Sequence, residues 1–329
     1  MSFFAVLLAL ICEQLKPLPH GNAVHAAVAA WSRWCGRNFD AGQQSHAWVV
    51  WAVSVLVPAL VVLAIDLVLR HFSFLLALAF DVLVLYLTLG FRQFSHYFTD
   101  IRAALDQGNE DEARRLLAAW QHLDASELPR NELLRHVIEH SLLAAHRHVF
   151  GVFFWFVLIA SLGGGPAGAV LFRMAEFASR YWAFRNRSLD APTHVRLSEL
   201  SRRCFSLMDH VPSRLTATGF AIVGNFEEAV NGWRRDANLW MHPNEGVILA
   251  AAAGAVGVQL GGAAAPGVTP DRSKSFSAGS APDATAAAGS TPGDPPTQAS
   301  LESIVRLVWR SVVLWMLLLA LLKLANLIG

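Results

Sequence analysis

The chain is poor in charge. Only 16% of its 329 residues are Asp, Glu, Lys or Arg, where a soluble domain carries about 25%. Hydrophobic residues make up 54%, and mean hydropathy is +0.40. This balance excludes an ordinary soluble domain and points to a membrane protein. The formal net charge is +1. No basic run or basic recognition motif is present, so no nucleic-acid partner is expected. Cysteine is also scarce. Cys12, Cys35 and Cys204 are widely spaced and form no C-x-x-C pair, which argues against a disulfide framework or a structural zinc site. The apolar start, Met1–Cys12, is short for a span. It lacks the basic first residues and the small-residue cleavage site of a signal peptide.

What the chain does have is long apolar runs. A membrane-crossing helix needs about 20 mostly apolar residues. Val49–Leu69 and Phe72–Phe91 are candidates, separated only by Arg70 and His71, and they read as a tight hairpin. Val149–Phe172 is a third run, broken by GGGPAG at Gly163–Gly168. Gly246–Gly262 is a fourth, built of Ala, Gly and Val, and Val308–Ile328 is a fifth. Asp66 and Asp81 lie inside the first two runs. A carboxylate at that depth is costly and functional by default; the alternative is a hydrogen-bonded place in the protein interior.

Two polar regions separate the runs. In the first, 92–148, DIRAALDQGNEDEARRLLAAW predicts two helices parted at Gly108 and Asn109, with Asp111 and Glu112 opening the second, where negative charge favours the helix dipole. Leu133, Leu134, Val137 and Ile138 then give an apolar stripe at helical spacing. The second region carries arginines at 173, 180, 185, 187, 196, 202, 203 and 214, which the positive-inside rule places in the cytoplasm. Residues 263–300, rich in Ala, Gly, Pro, Ser and Thr, read as a flexible linker to the last helix. The expectation is an all-α, polytopic helical membrane protein with four to five membrane-embedded segments and two polar helical regions. Its parts are an N-terminal segment and hairpin (1–91), a polar region (92–148), a core (149–262), the linker (263–300) and a C-terminal helix (301–329).

Few motifs carry chemistry. HVIEH at 136–140 matches the H-x-x-E-H zinc-protease signature. His136 and His140 share a helix face and Glu139 neighbours them, with Glu176 or Glu199 as a third ligand. The motif has few fixed positions and the chain has 13 histidines, so this zinc reading is a distant alternative and no metal is expected. His140, His146 and His148 add imidazoles before an apolar run, where they would bind metal, sense pH or end a helix at an interface. GGGPAG has neither the G-K-[ST] ending of a P-loop nor G-x-G-x-x-G spacing. A helix break or close helix packing explains it better. No G-x-S-x-G elbow occurs.

Several segments, in order, resemble one family. They are ALDQGNEDEARRLLAAW, NELLRHVIEHSLL, VFFWFVLIASLGGGPAGAVLFRMAEF, FRNR, LMDHVPSRLTA and HPNEGVILAAAAGAVGVQLGG, running from about Asp100 to Gly262. Together they resemble the CobD/CbiB membrane proteins of cobalamin biosynthesis and their AmpE-type relatives. The resemblance implies a polytopic protein of the bacterial inner membrane. For the enzymes of the family it implies an ATP-dependent amide ligation of aminopropanol phosphate to adenosylcobyric acid, with Mg and ATP required and a corrinoid bound.

The resemblance also shows departures. Glu139 matches the family's first glutamate in its helix. The family's following glutamate–asparagine pair aligns with Leu143 and Ala144, and its aspartate with Arg147. An asparagine–threonine pair and an aspartate align with Glu176, Phe177 and Ser179. The early Asp-Pro and His-Pro-Val stretch is replaced by CEQLKPLPHGNAVH, closer to AmpE. Arg173, Asp209, Pro212, Arg214 and Asn244 fit family positions; the structural alternative for Asp209, Pro212 and Arg214 is a proline-set turn at a membrane entry, held by an Asp209–Arg214 pair. The candidate ligand-binding residues are therefore Glu139, Arg173, Glu176, Asp209, Arg214 and Asn244, and no catalytic residue is assigned. With several polar positions lost, the favoured expectation is an accessory or regulatory protein without ligase activity. The alternative is an active adenosylcobinamide-phosphate synthase.

Overall fold

A computed structural model describes residues 2–15, 23–39, 44–89, 91–121, 125–126, 128–187, 195–262 and 287–328. Helices α1 (Ser2–Leu15), α2 (Ala23–Phe39), α3 (Gln44–Phe72), α4 (Phe74–Thr88), α5 (Phe91–Asp106), α6 (Glu110–Gln121) and α7 (Arg130–Ala145) come first. A π-helical turn, His146–Phe150, leads into α8 (Gly151–Ser161). Then follow α9 (Ala167–Arg187), α10 (Val195–Met208), α11 (His210–Val223), α12 (Phe226–Asp236), α13 (Pro243–Val256) and α14 (Gln298–Ile328). Among the described residues only isolated β-bridges accompany the helices. The all-α expectation holds. Among the described residues, three helical stretches are long and apolar enough to cross a membrane: His46–Phe72, Arg130–Ser161 and Gln298–Ala325. Phe3–Leu15 and Phe74–Thr88 are shorter apolar helices.

The described residues form two compact units, 1–93 with 147–208, and 94–146 with 209–262 and 287–328. In the first, α9 packs on α3, α8 and α10. Its core gathers Cys35, Val50, Val55, Ala175, Tyr181, Trp182 and Leu197. Glycines let large rings in: a Cβ on Gly36 would sit 2.7 Å from the Trp182 ring, and one on Gly151 2.3 Å from Phe172. The GGGPAG stretch turns the chain between α8 and α9, with Gly163 and Gly165 at φ 87° and 51°. Asp66 and Asp81 are buried in this unit, as the interior reading of the sequence requires. Arg70 Nε donates to Asp66 Oδ2 at 2.8 Å, and Arg70 Nη2 lies 3.8 Å from Asp81 Oδ2. One guanidinium thus serves two carboxylates.

In the second unit α13 is enclosed by α7, α11, α12 and α14. Here the structure corrects an expectation. The run Gly246–Gly262 is not a span, because its helix has 14 residues, about 21 Å at 1.5 Å per residue, against about 30 Å of hydrocarbon. It is apolar on all sides because protein surrounds it. Small residues bring backbones together: a Cβ on Gly254 would meet Glu228 O at 2.2 Å, and one on Gly246 would meet Ala237 O at 2.0 Å. The apolar run after the first polar region also differs. Helical structure is continuous through Arg130–Ser161, with a π turn at His146–Phe150 between HVIEH and the apolar residues after it.

The linker expectation divides. Residues 263–286 lie outside the described residues. Residues 287–297 are not free: Gln259 N donates to Asp294 O at 2.8 Å, Thr291 N to Leu260 O at 2.8 Å, and Ala288 N to Leu239 O at 2.7 Å. Thr297 and Ser300 then exchange side-chain and backbone bonds at the start of α14, which begins at Gln298 rather than at 301. Low-complexity composition hid this strap because most of its bonds are made by backbone groups, with Thr291 Oγ1 accepting from Leu260 N as well.

Gly165 gives a test. Its φ is +51°, and a Cβ there would lie 2.2 Å from Asp66 Oδ2 and 2.8 Å from Arg70 Nη2. Gly163 also has positive φ, 87°, but nothing within 4 Å. Gly163→Ala is expected to cost about 1 kcal/mol, the backbone penalty alone. Gly165→Ala is expected to cost several times that, because the Asp66–Arg70 pair must part. Thermal unfolding of the detergent-purified variants measures both, and equal losses would refute the crowding argument.

Candidate functional site

The first unit builds a charged cluster on α9. Arg173, Glu176 and Arg180 stand three and four residues apart, so their side chains share one helix face. Glu176 is completely buried. Arg173 Nη1 donates to Glu176 Oε2 at 2.9 Å, and Arg180 Nη2 donates to the same oxygen at 3.1 Å. Arg180 Nε also contacts Glu176 Oε1. Burial pushes the Glu176 carboxyl up, but Arg180 and Arg173, with His148 and Arg147 behind them, hold it down at about 2. Burial pulls the Arg173 guanidinium below its ordinary range. His25 on α2 is likewise depressed, by burial first and then by Arg180 and Arg173.

The second unit holds the other four candidates. Glu139 is fully buried on α7. Its Oε1 accepts the Gly261 N–H at 2.7 Å, and Arg135 Nη1 lies 3.6 Å from it. The carboxylate therefore ties the turn after α13, where Gly261 has φ 79°, to α7. Asp209 precedes α11. Its Oδ1 lies 2.7 Å from His146 Nε2, and His146 Nδ1 lies 2.9 Å from Thr216 Oγ1. With a neutral imidazole, Nε2–H donates to the carboxylate and Nδ1 accepts the threonine hydroxyl. Arg214 Nη1 donates to Asn244 Oδ1 at 3.1 Å and to His210 O at 2.7 Å. Pro243 in the first turn of α13 sets the helix start that places Asn244.

Two expectations change. The Asp209–Arg214 pair is replaced by His146 for the acid and Asn244 for the base. Both partners come from other helices, which spacing along one segment cannot reveal. The zinc reading also loses its geometry. Glu139 is committed to Gly261 and Arg135, and His140 meets the Trp120 ring edge-on, centroids 4.4 Å apart. Glu199 is exposed on α10. Among the described residues, no group of three His, Cys, Asp or Glu is placed to hold a metal ion.

Sequence reasoning missed His146 and Thr216 as partners of Asp209, and Arg180 and His148 as partners of Glu176. The spacing of Arg173, Glu176 and Arg180 was a usable signal for the second set. A magnesium–nucleotide complex fits neither set. It needs carboxylate oxygens open to a hard cation, whereas Glu176 faces guanidinium groups, Asp209 faces an imidazole and Glu139 receives a backbone N–H.

Long apolar helices with buried, paired polar clusters define a helical membrane protein. The chain belongs to the CobD/CbiB family: the family model described as CobD/Cbib protein matches residues 2–286. A "Cobalamin biosynthesis protein CobD" of Stutzerimonas stutzeri is 31% identical over 278 residues, covering 84% of this chain and 82% of the relative. A protein of the same name from Chromobacterium violaceum is 32% identical over 190 residues, 58% of each chain. One from Leptospira interrogans is 25% identical over 268 residues, 78% of this chain and 80% of the relative. No solved structure matches.

Glu176 supplies a pH test. Its carboxyl titrates at about 2 in the folded chain against an ordinary 4.5. Its stabilisation is therefore complete above the ordinary value and is lost as pH falls from there through about 2. Glu176→Gln leaves the arginines without their acid and is expected to cost about 3–5 kcal/mol at neutral pH. It should also flatten the acid-side fall in melting temperature. A variant that keeps the parent's acid slope would show that Glu176 is not its source.

Proposed function

We propose that this chain acts in cobalamin biosynthesis, as an adenosylcobinamide-phosphate synthase of the bacterial inner membrane. The reaction joins aminopropanol phosphate to adenosylcobyric acid through an amide. The carrying observation is the family match over residues 2–286, with a relative named for cobalamin biosynthesis that aligns over 84% of the chain. This favours the enzyme over the accessory role expected from altered positions. An amide ligation asks the protein to orient an amine against an acyl group and to offset charge. Arg214 with Asn244, and Arg173 with Glu176, offer donors and charge for such contacts. A corrinoid and an aminopropanol phosphate are the ligands proposed, and the bilayer is the partner of α3, α14 and the Arg130–Ser161 stretch. ATP is the proposed energy source. No step is assigned to magnesium, because the carboxylates are already engaged.

One observation favours a second reading. Leu143 and Ala144, where the resembling enzymes have polar groups, are buried in the interior of the second unit. A chain built this way would bind a family ligand without ligating it.

Expression in a strain that lacks cobinamide-phosphate synthase separates the two. Restored cobamide formation is the expected result. Arg214→Ala and Asp209→Ala should abolish it while the protein still accumulates in membranes. Absence of rescue by a stably expressed parent chain would replace the synthase by the accessory role.

A further inference from the structure

One end of the first unit gathers tryptophan and arginine. α2 ends at Phe39 and α3 begins at Gln44. Trp31 Nε1 donates to Ser54 O at 3.3 Å, and Gly36 lies against the Trp182 ring of α9. The last turns of α2 therefore sit beside the start of His46–Phe72, a stretch long and apolar enough to cross a membrane. Trp34 is 48% exposed and Trp48 is 51% exposed. Trp31 stacks on Trp34, and Trp48 meets Trp51 edge-on. Half-exposed tryptophans at the end of a span mark the level of the lipid headgroups. From Trp48 the exposed face of α3 continues through Val49, Leu56 and Leu60, which suits acyl chains.

The arginines give a second, independent signal. Arg33 and Arg37 stand four residues apart on α2, on either side of Trp34, and both are exposed. Like charges at that spacing repel, and among the described residues neither is in an ion pair with an acid. α10 runs back along α9, since Phe205 near its end meets Phe172 near the start of α9, centroids 5.6 Å apart. The first turn of α10, with exposed Arg196, thus returns to the end of α9. Across residues 31–51 and 181–199 the sequence has five arginines (33, 37, 185, 187 and 196) against three acids, Asp40, Asp190 and Glu199. The far end of α3 has no such excess, because Arg70 there faces both Asp66 and Asp81.

We propose that Arg33, Arg37 and Arg196, with Trp34 and Trp48, form a surface that binds the headgroup of an anionic phospholipid at this edge of the bilayer. A phosphate between Arg33 and Arg37 relieves their repulsion while its acyl chains follow the exposed face of α3. A zwitterionic lipid answers the arginines less well, because its own ammonium accompanies the phosphate. Each arginine near an anionic surface is worth about a fivefold gain in affinity. The inference rests on the outer surface of this unit and not on the synthase reading.

The test uses the full chain reconstituted in phosphatidylcholine vesicles that hold a minor fraction of brominated phosphatidylglycerol or, for comparison, brominated phosphatidylcholine. Bromine on the acyl chains quenches tryptophan fluorescence on contact. At low salt the association constant for phosphatidylglycerol should exceed that for phosphatidylcholine about fivefold or more, and added salt should reduce the ratio. Arg33→Gln with Arg37→Gln should bring the ratio close to one, and Arg196→Gln should lower it. These side chains are exposed, so the fold and the quenching by phosphatidylcholine should be unchanged. Trp34→Phe should remove the larger part of the excess quenching, since Trp34 is the reporter between the two arginines. A ratio near one in the parent, an unchanged ratio in the double arginine variant, or an excess that survives Trp34→Phe intact would overturn the proposal. So would loss of the excess on adding soluble glycerol phosphate at matched ionic strength, which would assign the surface to a soluble anion. Absence of synthase rescue with the lipid preference intact would sink the function proposed above and leave this surface standing.

Discussion

Burying a guanidinium in an apolar helical protein is costly unless an acid accompanies it. Much of the polar architecture follows from that constraint. Arg70 lies between Asp66 and Asp81, Arg135 beside Glu139 and Glu132, and Arg173 with Arg180 around Glu176. In each set at least one pair is spaced three or four residues apart on one helix. Local spacing holds the pair together before tertiary packing shields it from water. The surrounding helices can then be almost wholly apolar, and glycine and alanine let them approach closely.

The parts of the fold that were legible in the sequence obey local rules. The break at Gly108 and Asn109 and the acidic start of α6 are read from a few neighbouring residues. The apolar runs of α3 and α14 are long enough for composition alone to identify them. The run at Gly246–Gly262 was misread because composition does not distinguish burial in protein from burial in lipid. Only the close approach of Gly246 and Gly254 to other backbones separates the two. The site was legible by residue type rather than by partner. Glu176 and Asp209 were found, but Asp209 meets His146 across 63 positions and Glu139 meets Gly261 across 122. No period within one element reaches that far.

The engaged carboxylates bear on how this family member handles charge. Glu139 is spent on holding a turn, and Asp209 on orienting an imidazole that in turn meets Thr216. Arg147 adds a further cation whose charge lowers the Glu176 carboxyl.

The strap at 287–297 has a consequence for how α14 is held. Gly262 N donates to Gly289 O at 2.8 Å, and Gln259 N and Thr291 N bond across in the same way. The approach to α14 is therefore fixed largely by main-chain groups, which every residue but proline carries. Side-chain substitution along the strap leaves that anchorage in place.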